Sequence, residues 1–160
     1  MTRRGSFTAA ALVAVIGAAG WIAAAQQASD AESLTFLGEP VTAAQLALGQ
    51  DVYAANCASC HGANLEGQPD WRRRNENGRI PAPPHDASGH TWHHADRQLF
   101  TITRLGVSAI VPGYDSDMPA FEGILSDAEI VAVLAYIKST WPERERGFQA
   151  EVTANDEGGS

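Results

Sequence analysis

The tightest constraint in this chain is a run of five residues, Cys57-Ala58-Ser59-Cys60-His61. It holds both of the chain's 2 cysteines, so a four-thiolate metal site is out of reach. A disulfide across two intervening residues is a tight, strained loop and a poor staple. A thioredoxin-like redox pair needs a surrounding α/β pattern, which this sequence lacks. The residue after the second cysteine decides the matter, because C-x-x-C-H is the attachment pattern of a c-type haem. Two thiols three positions apart at the end of a helix can each form a thioether on one edge of a porphyrin. His61 then lies under the ring with an imidazole for the iron. The pattern predicts a fold organised around one covalently attached haem c.

An iron held by His61 has a sixth position to fill. The chain has 2 methionines, Met1 and Met118. Met118 sits in Asp117-Met118-Pro119-Ala120-Phe121, inside an irregular stretch, and not on the apolar face of a helix. A thioether is a soft ligand that stabilises ferrous iron and raises the reduction potential. Filling both axial positions also keeps oxygen and small ligands off the metal. His61 and Met118 are therefore the expected axial ligands.

The helical segments follow from capping and periodicity. Thr42 with Gln45 three residues later forms a capping box, ahead of Leu46, Gly49, Val52 and Tyr53 at helical spacing. This predicts a helix over 43–55 that runs into Cys57. Residues 62–91 are dense in glycine and proline and read as loop. A loop of that length is tolerable if it wraps a buried cofactor that supplies the missing core. A second helix is expected over 95–105, with Leu99, Ile102 and Leu105 on one side and Gly106 as its stop. Residues 107–121 are irregular. Ser126 and Glu129 form a second capping box. Ile130, Val133, Leu134 and Ile137 then follow at i, i+3, i+4 and i+7, an amphipathic helix that ends before Pro142.

The ends read as peripheral. Residues 1–25 carry Arg3 and Arg4, no acid, and an apolar stretch over 7–25. This is an export signal with a cleavage site after Ala25, or, at close to the ~20 residues a span needs, a retained membrane anchor. Residues 26–40 read as a linker, 41–146 as the haem-binding domain and 147–160 as a disordered tail. Without the two arginines of the first segment, the formal net charge goes from -8 to -10. That excludes nucleic acid as a partner.

From Thr42 to Trp141 the chain resembles the class I, mono-haem cytochromes c. The likeness rests on the helix that ends in Cys57-Ala58-Ser59-Cys60-His61-Gly62, on Leu99-Phe100 and Gly106, and on Met118-Pro119-Ala120-Phe121. It continues through the closing helix, Leu125-Ser126-Asp127-Ala128-Glu129-Ile130 to Tyr136-Ile137. The resemblance implies an all-α cytochrome c fold: three to five short helices wrapped around a covalently bound haem, with an extended loop after the haem motif. It implies that Gly49 and Tyr53 pack against the last helix near Tyr136. It also implies that a proline carbonyl accepts the proximal imidazole N–H, for which Pro83 or Pro84 is the match. His85 stands where the family often has leucine.

The loop departs from the family's minimal pattern elsewhere too. Arg79 and Trp92 are candidates to hydrogen-bond the haem propionates. His90, His93 and His94 have helical spacing beside Asp86 and Asp96, a candidate for a second metal. Arg72, Arg73, Arg74 and Arg79 cluster next to the haem motif. They form either a basic docking patch or partners for the propionates and for acids such as Asp70 and Glu76.

The implied function is periplasmic single-electron transfer, in which no substrate bond is made or broken, so the chain is not expected to be an enzyme. The expected donor is a quinol-oxidising complex or a dehydrogenase, and the expected acceptor a terminal oxidase or reductase. Two alternatives stay open. One is a haem-bearing subunit bound permanently to a dehydrogenase or respiratory complex. The other is a haem sensor with a displaceable Met118.

Overall fold

A computed structural model describes residues 34–158 of the chain. The expected export signal or anchor therefore lies outside the described residues. Among the described residues, five helices carry the fold: α1 (Ala43–Asn56), α2 (Ala58–His61), α3 (Asp96–Leu105), α4 (Asp127–Ser139) and α5 (Glu143–Gly158). A two-stranded antiparallel hairpin, β1 (Thr35–Phe36) and β2 (Glu39–Pro40), precedes them. Short 3-10 turns at Thr91–His93 and Val107–Ala109 flank α3. The all-α expectation and the long irregular stretch after the haem motif both match this architecture.

Both capping boxes form. At α1 the Thr42 hydroxyl accepts the Gln45 N–H at 3.2 Å while Gln45 Oε1 accepts the Thr42 N–H at 2.9 Å. At α4 the Ser126 hydroxyl accepts the Glu129 N–H at 3.3 Å and Glu129 Oε2 accepts the Ser126 N–H at 2.8 Å. Each box satisfies N–H groups that the first helical turn would otherwise leave unpaired. Hydrogen bonds from the Ser126 hydroxyl and N–H hold the Glu129 carboxyl below its ordinary range.

The core lies between α1 and α4. Ile130, Val133, Leu134 and Ile137 are buried as the periodicity predicts, and Ala132 and Ala135 are buried as well. Alanines on the other face let α4 be covered nearly all round. Gly49 sits at the crossing: a Cβ there would stand 2.1 Å from Ala132 O and 2.7 Å from Tyr136 Cβ. The absent side chain sets how closely the two helices approach. On α3, Leu99 is buried, whereas Leu105 ends exposed at the last helical position.

Two boundaries differ from the sequence expectation. The linker assigned to 26–40 is structured from residue 34: Leu34 and Phe36 join the core, and Leu37 N–H donates to Asp96 Oδ2 at 2.9 Å. The tail assigned to 147–160 is helical through Gly158. The reason is that α5 docks through polar groups. Gln149 is fully buried, and its amide nitrogen donates to Asp96 Oδ1 at 2.6 Å, Thr153 Oγ1 at 3.1 Å and His94 O at 3.2 Å. Arg97 reaches Asp156 at 3.5 Å. A helix held this way has no apolar stripe, so its sequence reads as solvated.

Candidate metal centre

Helix α1 breaks at Cys57 and restarts as α2, a single turn that carries Cys60 and His61. Cys57 is half-buried and Cys60 exposed. As a free thiol, Cys57 is pushed up to about 11 by burial, with Cys60 adding to the effect. His61 is buried, and its Nδ1 lies 2.8 Å from Pro83 O. A carbonyl only accepts, so Nδ1 carries the proton and Nε2 keeps its lone pair free for a metal. Burial lowers the His61 pKa, and the Pro83 bond opposes that. Pro83, and not Pro84, is the acceptor.

The loop is built to hold that carbonyl in place. Gly67 and Gly89 pack directly on the proline pair: a Cβ on Gly67 would stand 2.4 Å from Pro84 N, and one on Gly89 2.0 Å from Pro84 O. Gln68 N–H donates to Ala82 O at 2.9 Å, and His85 N–H to Leu65 O at 2.8 Å. Tyr53 closes the other side, donating its hydroxyl to Gly62 O at 2.8 Å.

His85, a departure from the family pattern, turns out to belong to the centre. Its ring stacks on His61 with centroids 3.9 Å apart and planes 21° from parallel. Its Nδ1 is 2.8 Å from Thr91 Oγ1, and its carbonyl accepts Trp141 Nε1–H at 2.7 Å. Burial holds the imidazole well below its ordinary pKa, so it is neutral. The sequence signal was there, a histidine directly after the proline pair, but the stack itself depends on how the loop folds back.

Met118 is half-buried against the core cluster. Its N–H donates to Ser116 Oγ at 3.1 Å. The chain just after it is tied to the end of α3, with Phe121 N–H donating to Thr103 O at 3.1 Å and Glu122 N–H to Arg104 O at 2.9 Å.

The remaining candidates divide. Trp92 stacks on His93 at 3.8 Å and meets Phe148 of α5 edge-on at 5.3 Å. Its buried Nε1–H has no acceptor among the described residues; the other such orphan is Gln149 Oε1. Arg79 is engaged within the protein, its Nε 2.9 Å from Asp115 Oδ2 and its Nη1 on Asp117 Oδ1. The guanidinium thus bridges two carboxylates of the segment that leads to Met118. Arg74 bonds Gly78 O at 2.6 Å and lies 5.7 Å over the Tyr114 ring, while Arg72 lies 4.1 Å over Trp71. His90 meets His94 edge-on at 5.4 Å, but the three histidines do not form one cluster. His90 stacks on Trp71, His93 on Trp92, and the segment is a 3-10 turn, not an α-helix. Among the described residues no group of three or more His, Cys, Asp or Glu could hold a metal ion.

The donor set suits a covalently held haem. It offers two adjacent thiols, a buried imidazole with its free nitrogen defined by Pro83, a soft thioether in a separate loop, and a buried indole N–H that lacks an acceptor.

Comparison with known proteins agrees. A cytochrome c family model matches residues 46–141. Cytochrome c6 of Tetradesmus obliquus is 35% identical over 98 residues, covering 59% of this chain and 89% of that protein. Cytochrome c6 of Picosynechococcus sp. is 34% identical over 101 residues, 62% of this chain and 77% of that protein. The Cbb3-type cytochrome c oxidase subunit CcoP of Rhodobacter capsulatus is 29% identical over 107 residues, 66% of this chain. The match spans only 33% of that subunit's length. No solved structure matches. With the family match running from within α1 to Trp141, over more than half of its length, the chain belongs to the cytochrome c family, whose haem c is covalently bound.

Proposed function

We propose that the protein is a single-electron carrier in which Cys57 and Cys60 hold the haem by thioethers and His61 and Met118 ligate its iron. The observation that carries this reading is the His61–Pro83 bond of 2.8 Å directly after the cysteine pair. It leaves one imidazole nitrogen available and fixes the direction in which it points. When bound, the haem iron supplies a one-electron Fe(III)/Fe(II) couple. The chain's part is to keep the coordination unchanged as the charge changes. Pro83 and His85 restrain the imidazole, and a fixed ligand set lowers the reorganisation that each transfer requires. Trp92 Nε1–H offers a propionate a buried donor. No bond to a substrate is made, so the function proposed is transfer and not catalysis.

Three measurements test this. Cys57→Ala with Cys60→Ala should abolish haem that resists acid-acetone extraction; retention at normal yield would sink the attachment. Met118→Ala should remove the weak near-infrared band of Met-ligated ferric haem and lower the potential. An unchanged band would assign the sixth site to another group. Slow carbon monoxide binding to the reduced protein is expected as well, and rapid binding at neutral pH would favour a sensor.

The proposed location is the periplasm, free or tethered through residues 7–25. Among the described residues no helix is long and apolar enough to cross a membrane. Donors of the quinol-oxidising or dehydrogenase class and acceptors of the oxidase or reductase class remain the proposed partners. The similarity to an oxidase subunit supports a second reading, a haem module bound permanently within a respiratory complex. Co-purification from native membranes at high salt would separate the two.

A further inference from the structure

The excursion at residues 69–81, absent from the family's minimal pattern, reaches across to the loop that carries Met118. Its base is closed beside the His61 acceptor, where Gln68 N–H donates to Ala82 O and Ala82 N–H donates to Gln68 Oε1, both at 2.9 Å. Its far end is a turn that aims one side chain. Asn75 N–H donates to Arg79 O at 2.8 Å, and Arg79 N–H donates to Asn75 Oδ1 at 3.0 Å. From there the Arg79 guanidinium grips Asp115 and Asp117, the second of which adjoins Met118. Arg74 adds a contact over the Tyr114 ring.

The Met118 loop needs such a restraint on its entry side. Its exit is anchored to α3 through Phe121 and Glu122. Among the described residues, the hydrogen bonds that reach 112–118 from outside 107–122 come from Arg79. Without that cation, two carboxylates two positions apart would repel each other and favour an open loop.

We propose that Arg79 is a positioning residue for Met118: residues 69–81 form a strap whose ion pairs with Asp115 and Asp117 hold the thioether loop closed and keep exogenous ligands off the sixth site. The inference rests on Met118 as the axial ligand. The Arg79 side chain is 36% exposed and its partners 68% and 61%. The effect is therefore modest and screened by salt: removing both pairs should raise loop opening about 3-fold to 10-fold.

The test is imidazole binding to the ferric holoprotein at saturating imidazole, where loop opening limits the rate. Arg79→Ala should raise that limiting rate about 3-fold to 10-fold, with Arg79→Lys in between and Asp117→Asn shifted in the same direction. Added sodium chloride should accelerate the wild-type protein toward the Arg79→Ala rate and leave that variant nearly unmoved. Global stability in denaturant should change far less than the imidazole rate. Equal rates and equal salt dependence in wild type and Arg79→Ala would overturn the strap. So would an acceleration that only tracks a fall in global stability. A wild-type protein without the near-infrared methionine band would overturn the Met118 assignment itself, and the strap with it.

Discussion

An imidazole that ligates a metal through one nitrogen can turn about that bond, and for His61, the proposed ligand, two neighbours limit that freedom. Pro83 O fixes one edge of His61, and the His85 ring covers one face at 3.9 Å. His85 is itself immobilised by Leu65 O, Trp141 Nε1 and Thr91 Oγ1. A leucine there would fill volume without offering a flat surface. We expect His85→Leu to shift the haem-methyl resonances of the ferric protein, which report the imidazole plane. His85→Phe, which keeps a flat ring, should shift them less. Identical spectra for wild type and His85→Leu would show that Pro83 alone sets the orientation.

At the scale of elements, the fold depends on the α1–α4 contact and on how α4 begins. Gly49→Ala would drive a methyl to within 2.1 Å of Ala132 O, which is backbone and cannot yield locally. The helices must separate, at a cost of about 1–3 kcal/mol or more, read as a lower thermal midpoint of the holoprotein. Ser126→Ala should cost about 1 kcal/mol through the lost cap. Glu129 adds a pH dependence. Its folded pKa is depressed by the Ser126 bonds, so its contribution is complete above the unfolded value and is lost as pH falls through the folded one. Acid titration of stability should therefore be shallower in Glu129→Gln. The same slope in both proteins would show that the Glu129 charge contributes nothing measurable.

Across the whole molecule, one buried carboxylate joins elements far apart in sequence. Asp96, at the start of α3, accepts from Lys138 Nζ of α4 at 3.1 and 3.2 Å, from Gln149 of α5 and from the N–H of Leu37 in the hairpin. Lys138 and Asp96 are both buried. Lys138→Met would leave the carboxylate unpaired, and breaking a buried pair in this way costs about 3–5 kcal/mol. The loss should appear in chemical denaturation and as faster amide exchange over 143–158, because α5 docks on the same group. Stability within 1 kcal/mol of wild type would mean that the pair contributes little.

Local chemistry made much of this protein legible in one dimension. C-x-x-C-H specifies haem attachment because the thioethers and the ligand must be adjacent in sequence. Thr42–Gln45 and Ser126–Glu129 mark helix starts because a cap acts within one turn. Ile130, Val133, Leu134 and Ile137 mark a buried face because a helix repeats every 3.6 residues. Contacts made by polar groups over long separations carry no such period. The sequence therefore did not reveal the hairpin from residue 34 or the helix α5, both of which dock on Asp96. Nor could it tell that Arg79 meets Asp115 and Asp117, or that His85 lies flat on His61, since these pairs lie 36, 38 and 24 positions apart. Only the folded loop, closed at Gln68 and Ala82 and packed through Gly67 and Gly89, brings them together.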